Sequence, residues 1–234
     1  RDINKSIHYY SLAANQNHSQ AQHNLGVIYG DGKYITRDIN KSIYYFSLAA
    51  NQNHLQAQYN LGLIYSYGKY ITRDINKSIY YYSLAANQNI PQAQYNLGVI
   101  YSEGKYIERD INKAIYYFSL AANQNHPQAQ FGFGVIYYEG KYITRDINKS
   151  IHYYSLAANQ NHPDAQLIIS FFFLNGFFVK KDINKGLSYL VKSSDNGNVA
   201  ALFILGYLYH EQKYIQNDIQ KCIKYYKESS SFNN

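Results

Sequence analysis

Four histidines recur in one register of this chain: His18, His54, His126 and His162. Imidazole is a common metal ligand and general base near neutral pH, so this set is the first candidate for chemistry. The shared register works against it. Side chains at one position of stacked helical repeats form a ladder with rungs about 10 Å apart. A metal ion needs its ligands within about 2 Å of a single point. Turn histidines satisfied by backbone are therefore expected, with no metal and no cofactor. Catalysis likewise needs unlike groups converging on one pocket. Here most polar side chains recur like with like, so no enzyme activity is expected. Cys222 stands where other copies of its register carry Ser, Ala or Gly. It reads as a small core residue and not a nucleophile. A single cysteine also excludes an intrachain disulfide framework and a cysteine-based zinc cluster. Asn4, Asn40, Asn76 and Asn148 each open an N-K-S sequon. They fall in the first turn of an expected helix with the Ser on its packed side, so the sequons read as coincidence.

A second chemistry would be phosphate binding by Lys33, Arg37 and Lys41, which recur in most copies. Lys plus Arg is 22 against 15 Asp plus Glu, a net charge of +7. That is a mild excess, and Asp38 and its equivalents sit among these cations. A solvated, partly self-paired edge is the expectation. Hydrophobic residues make up 46% of the 234 positions, enough for a core, and mean hydropathy is −0.46. The greasiest run, "LIISFFFLNGFFV" at 167–179, is too short to span a bilayer and is followed by Lys180 and Lys181. With no Met at all, the sequence reads as a fragment of a longer chain. Its compartment stays open, with the cytoplasm favoured. The 29 tyrosines and the many asparagines suggest compositional drift as much as selection.

The elements that would position these residues follow from a strict period. "RDIN" begins at Arg1, Arg37, Arg73, Arg109 and Arg145, "KDIN" at Lys181 and "NDIQ" at Asn217, each step being 36 residues. Such a period marks a helical solenoid whose repeats bury their faces only against neighbours. Each unit reads as two helices. Helix A runs from about Leu55 to Tyr65, with Ala57, Leu61, Ile64 and Tyr65 on one face, and Gly68 as its stop. Asp74 is the expected N-cap of helix B, whose packed face is Ile75, Ser78, Ile79, Tyr82, Ala85 and Ala86. Helix B ends near Asn89, in a register shared by Asn17, Asn53, Asn125, Asn161 and Gly197, the residue types that best tolerate a left-handed cap. Helix B therefore starts near 2, 38, 74, 110, 146, 182 and 218. Small residues at Gly26, Gly62, Gly98, Gly134, Ser170 and Gly206, and at Ser42, Ser78, Ala114, Ser150, Gly186 and Cys222, mark where helices approach closely.

The pattern A-x-x-x-L-G-x-x-Y-x-x-G, then D-x-x-K-[AS], two aromatics and A-A, is seen in "AQYNLGLIYSYGKYITRDINKSIYYYSLAANQN" at 57–89. It resembles the Sel-one-like repeat family, a relative of the tetratricopeptide repeats, over nearly the whole chain. Two positions depart from the family pattern: its Gly after helix B is mostly Asn, and its Lys before the Ala pair is Leu12, Leu48, Leu84, Leu120 and Leu156. The resemblance implies an all-α fold, a right-handed α/α superhelical solenoid filling 1–234 as one domain. It also implies an adaptor or scaffold role without catalysis.

By resemblance to tetratricopeptide repeats, the free arc of helix A, including Tyr59 and Asn60, lines a concave groove. The Tyr59 register is among the most variable between copies, as His23, Tyr59, Tyr95, Phe131, Leu167 and Phe203. Asn24, Asn60 and Asn96 form an amide ladder able to pair with an extended peptide, or else are ordinary solvent-facing asparagines. Leu167, Ile168, Phe171 and Leu174 on one helix A, with Phe203, Ile204 and Tyr207 on the next, make an apolar patch of the kind that marks an interaction site. The alternative is that the chain's own tail or a neighbouring helix covers it. Expected partner-contacting residues are thus Leu167, Ile168, Phe171, Leu174, Phe203, Ile204, Tyr207, Tyr59, Asn60, Tyr95 and Asn96. The favoured function is a protein-interaction scaffold taking a peptide or helix. The alternative is a basic solenoid binding nucleic acid, and the third reading is a regulatory module of an enzyme whose catalytic domain lies outside this chain. No membrane insertion is expected. The five leucines Leu12, Leu48, Leu84, Leu120 and Leu156 should form a partly exposed convex stripe, open to self-association.

Overall fold

The structure is a computed structural model describing residues 2–212, 214 and 218–231. Arg1 and Asn217, which open the first "RDIN" and the "NDIQ", lie outside the described residues. Among those described there are thirteen α-helices and no strand. The chain divides into two compact units, residues 1–121 and 122–234.

The first unit contains α1 (Ile3–Asn15), α2 (Ser19–Asp31), α3 (Ile39–Asn51), α4 (Leu55–Tyr67), α5 (Ile75–Asn87) and α6 (Pro91–Glu103). The residues of α7 (Ile111–Asn123) fall on both sides of the division. The second unit contains α8 (Pro127–Glu139), α9 (Ile147–Asn159), α10 (Pro163–Asn175), α11 (Ile183–Asp195), α12 (Val199–His210) and α13 (Ile219–Ser231). Even-numbered helices are the A helices of the repeat and odd-numbered ones the B helices. Helix A extends two residues past the expected Tyr65, to Tyr67.

Local chemistry sets the ends. Each B helix from α3 to α11 whose cap is described starts on an Asp. Asp74 Oδ1, for example, accepts the Lys77 amide at 3.0 Å. That amide, the first cause, holds the Asp74 carboxyl below its ordinary value. The A helices α2, α4, α6, α8 and α10 stop on a left-handed Gly; Gly68 has φ 62°. Helix B closes through Asn17, Asn53, Asn89, Asn125 and Asn161, all at φ 60–63°, the conformation Asn tolerates better than most residues with a side chain.

Within a repeat, helix A lies on helix B through a glycine under an aromatic ring. A Cβ on Gly62 would fall 2.4 Å from Tyr82 Cδ1, and one on Gly98 2.6 Å from Phe118 Cδ1. The small residue of helix B does not simply make room. Ser78 Oγ donates to the Gly62 carbonyl at 2.9 Å, and Ser42 and Ser150 repeat the bond to Gly26 and Gly134. The alanine pairs and Leu61 or Leu97 complete each buried cluster. A fully buried leucine or ring of this kind contributes about 2 kcal/mol from surface removed from water.

One polar register is buried as deeply as the core. Gln22, Gln58, Gln94, Gln130 and Gln166 are all shut from solvent. Gln58 Nε2 donates to the Ala50 carbonyl at 3.3 Å, while its Oε1 accepts Gln88 Nε2 at 2.7 Å. Gln22, Gln58 and Gln130 so tie their own repeats to the next, through Gln52, Gln88 and Gln160. In the second unit Asn196 replaces the donor and reaches Gln166 Oε1 at 2.9 Å.

Candidate functional site

The free arc of helix A is partly filled in both units. In the first unit Tyr59 is half-buried, its ring 5.8 Å from that of Tyr82, and Tyr95 sits likewise 5.7 Å from Phe118. The asparagines between them are paired within the chain. Asn60 Nδ2 lies 3.3 Å from His23 Nε2, and Asn96 is hydrogen-bonded to the Tyr59 and Tyr82 side chains. Two cavities follow one another along the arc. One, of about 530 Å³, lies over Gly26, Gly30, Ser42 and Phe46 and is walled by Leu63 and Tyr67. The other, of about 380 Å³, repeats it one register later over Ser66 and Tyr82.

In the second unit the greasy stretch splits between core and surface. Phe171 is 40% exposed, Phe203 56% and Tyr207 47%. Leu167, Ile168 and Ile204 are half-buried, each packed against a core cluster. Phe203 and Ile204 line a cavity of about 630 Å³ beside Val199 and Tyr226. Leu174 corrects the sequence reading. It is 4% exposed and belongs to the core with Leu190, Ala201, Leu205 and Leu208. Its burial has a cause on the facing helix, α11. Gly186 replaces the usual Ser, and a Cβ there would lie 2.7 Å from Leu174 Cδ2. Leu174 fills the space the missing hydroxymethyl leaves. A second exchange accompanies it: Ser170 stands where other copies have Gly, opposite Leu190 where they have a ring. The Ser170 hydroxyl is buried without a hydrogen-bond partner among the described residues. Repeat six is therefore repacked as well as greased.

Three of the four register histidines serve the backbone, while His18 stands at the N-cap of α2 without a side-chain cap hydrogen bond. Nδ1 of His54, His126 and His162 accepts the amides of Ala57, Ala129 and Ala165 at 3.3, 3.4 and 3.4 Å. They are helix N-caps, and burial lowers the pKa of each. Burial pushes the Tyr154 phenol up to about 12, so it stays protonated at neutral pH. Among the described residues no three of His, Cys, Asp and Glu come together as a metal group would require.

The cationic edge is largely tied to the chain. Arg37 Nε donates to the Gly30 carbonyl at 2.8 Å and Nη2 to that of Asp31 at 2.7 Å, while the guanidinium lies 4.3 Å over the Tyr70 ring. Arg73 caps α4 in the same way, through Ser66 and Tyr67, and also meets Tyr106. Lys41 pairs with Asp38 at 3.6 Å and Lys77 with Asp74 at 3.5 Å. Sequence reasoning missed the arginine caps and the glutamine ladder. The signal was present in the copies themselves: "AQ" and "R" keep their places through five repeats whose exposed arc varies.

Helix pairs of 36 residues, joined by buried side-chain bridges, make this an all-α repeat fold of the solenoid class. The chain belongs to the Sel1 repeat family, which matches residues 1–18, 19–54, 55–90, 91–126, 127–162, 163–198 and 199–231. A comparison with curated protein sequences gives no match. Among solved structures it is similar to a protective antigen present in uropathogenic Escherichia coli strains, described as displaying an SLR fold, with TM-score 0.88 and 28% identity over 97% of this chain. This chain spans only 49% of that one. A Sel1 repeat protein from Oxalobacter formigenes matches with TM-score 0.85 and 26% identity, over 98% of this chain and 99% of the other. An immunity protein from Pseudomonas aeruginosa shares the fold alone, at 17% identity and TM-score 0.59 over 92% of this chain and 81% of that one. Sel1 repeat proteins are generally non-catalytic protein-interaction scaffolds. Among the described residues no helix is long and apolar enough to cross a membrane.

Proposed function

We propose that this protein is a non-catalytic scaffold, one solenoid over 1–234, that takes a peptide or helix of a partner protein against the free arc of its A helices. The observation that carries the reading is the exposure of Phe171, Phe203 and Tyr207 beside the half-buried Leu167, Ile168 and Ile204. Isolated apolar residues are ordinary on a surface, but a contiguous set is what interfaces are built from. Tyr59 and Tyr95 extend the arc in the first unit as aromatic contacts, with Asn60 and Asn96 as polar contacts beside them. Nucleic acid is the weaker reading, because Arg37, Arg73, Lys41 and Lys77 already meet carbonyls, rings or carboxylates of the chain.

The test is the pair Ile168→Asn with Phe171→Asn. Earlier repeats carry Asn60 and Asn96 at the Ile168 register, so the fold accepts the first change. Affinity capture of partners with wild type and double variant, beside thermal melts of both, should show partner loss with a preserved melt. Capture that survives the double variant would remove the patch from the binding face. A collapsed melt would make these side chains core. Binding of RNA that falls steeply with salt would favour the nucleic-acid reading instead.

A further inference from the structure

We propose that His23 and His54 form a proton-operated latch between α2 and α4, closed near neutral pH and released as the surroundings turn mildly acidic. The latch is a property of the chain alone and does not depend on a partner in the groove. Its basis is a pairing of registers. The arc residue of one A helix and the N-cap of the next pair off along the chain as His23 with His54, Tyr59 with Ile90, Tyr95 with His126, Phe131 with His162 and Leu167 with Asn198. The first pair alone has an imidazole on both sides. Its rings stack with centroids 4.6 Å apart and planes 16° apart. Phe131 and His162 stack in the same way, at 4.6 Å and 14°. The packing therefore does not need a second histidine; what the second histidine adds is titration.

The neutral pair has no nitrogen to spare. His54 Nδ1 accepts the Ala57 amide at 3.3 Å, and its Nε2 donates to Gln20 Oε1 at 3.2 Å. His23 Nε2 accepts Asn60 Nδ2 at 3.3 Å, and its Nδ1 donates to Asn24 Oδ1 at 3.4 Å. Gln20 Nε2, 3.4 Å from His23 Nδ1, donates instead to Asn24 Oδ1 at 3.0 Å. Each ring thus has one acceptor nitrogen, already used, and a proton placed there sets one N–H against another. A second proton adds like charges face to face across the stack. The surroundings offer no compensation. Phe46 of α3, Asn60 of α4, and Gln20 and Asn24 of α2 face the pair, and all are uncharged. Among the described residues no charged group besides the two imidazoles acts on either ring. Burial is the first cause that lowers both pKa values, and the His54 charge is the second cause at His23. A base lowered in this way holds its contacts fully above its ordinary value of 6.5 and loses them as pH falls below it.

The test follows the isotope-labelled full chain by NMR from pH 7.5 to pH 5, reading the ring signals of both histidines and the amide exchange of α2 and α8. His23 should titrate below 6.5. His54→Asn, which keeps a cap of the Asn198 kind, should move that midpoint up. After correction for intrinsic rates, the amides of Leu25 and Gly26 should exchange several-fold faster at the acid end than at the neutral end. That ratio should exceed the one for Phe133 and Gly134, their counterparts beside the Phe131 and His162 stack. His23→Phe copies that stack and should bring the ratio for Leu25 and Gly26 down to the α8 value. If His23→Phe does not fold, His23→Tyr copies Tyr59 and Tyr95 and carries the same comparison. A His23 midpoint indifferent to His54, an α2 no more acid-sensitive than α8, or an acid response that survives the loss of His23 would each overturn the latch.

Discussion

Gly98 shows how one residue sets the distance between two helices. A Cβ there would sit 2.6 Å from Phe118 Cδ1 and 2.7 Å from Cε1, well inside van der Waals contact with a half-buried ring. Gly98→Leu should therefore destabilise by about 3 kcal/mol or more, read as a lowered denaturant midpoint. An unchanged midpoint would mean that α6 does not lie on that ring. The chain also shows the compensated form of this change. Ser170 replaces the glycine where Leu190 replaces the ring, so Gly98→Ser with Phe118→Leu should recover most of the loss. Sequence inspection had found the glycine register and read it as close approach. It could not show that the approaching group is an aromatic ring, because ring and glycine are twenty residues apart and only packing brings them together.

At the scale of the element, the helix starts carry a pH dependence. His54, His126 and His162 accept a backbone amide through Nδ1, which requires the neutral ring. Burial, the first cause in each, lowers their folded pKa below the ordinary 6.5. A base with a depressed folded pKa stabilises the fold fully above its unfolded value, and that stability is lost as pH falls below about 6.5. Asp74, Asp110 and Asp218 have lowered values as well, but theirs matter only below the ordinary carboxylate range. Stability should thus fall between pH 7.5 and 5 by a histidine effect alone. Asn198 is a natural non-titrating cap at the same register, its Oδ1 accepting the Ala201 amide at 2.9 Å. Burial lowers the His23 pKa too, so replacing the three histidines with Asn should reduce the pH dependence of the melting temperature over that range and leave the part that His23 carries. A profile that keeps its slope would assign it to other groups.

At the scale of the molecule, the question is what the remaining surface does. Leu12 is 49% exposed, and Leu48, Leu84, Leu120 and Leu156 are half-buried, as the placement of Leu on the outer side of helix B anticipated. We infer that the stripe in the first unit supports weak self-association. Leu48→Glu with Leu84→Glu should lower the concentration dependence of the sedimentation coefficient without shifting the melt. Equal sedimentation of variant and wild type across concentration would retire the stripe as a contact.

The sequence by itself determined the repeat, its helices and nearly every boundary. Period, caps and apolar spacing are local properties, and a unit copied seven times states them redundantly. It also separated the registers that vary from those that do not. Only the tertiary structure decided which polar residues were structural. Gln58 lies next to the core Ala57 with no local mark of burial, yet its amide bridges two repeats from inside. Arg37 reads as part of a solvated, partly self-paired edge, yet it caps α2. The fate of Leu174 was decided the same way. Phe171, one turn before it, and Asn175, next to it, are exposed. What buries Leu174 is a methylene and hydroxyl missing from Gly186, twelve residues on in the facing helix, a vacancy that exists only once the two helices are packed together.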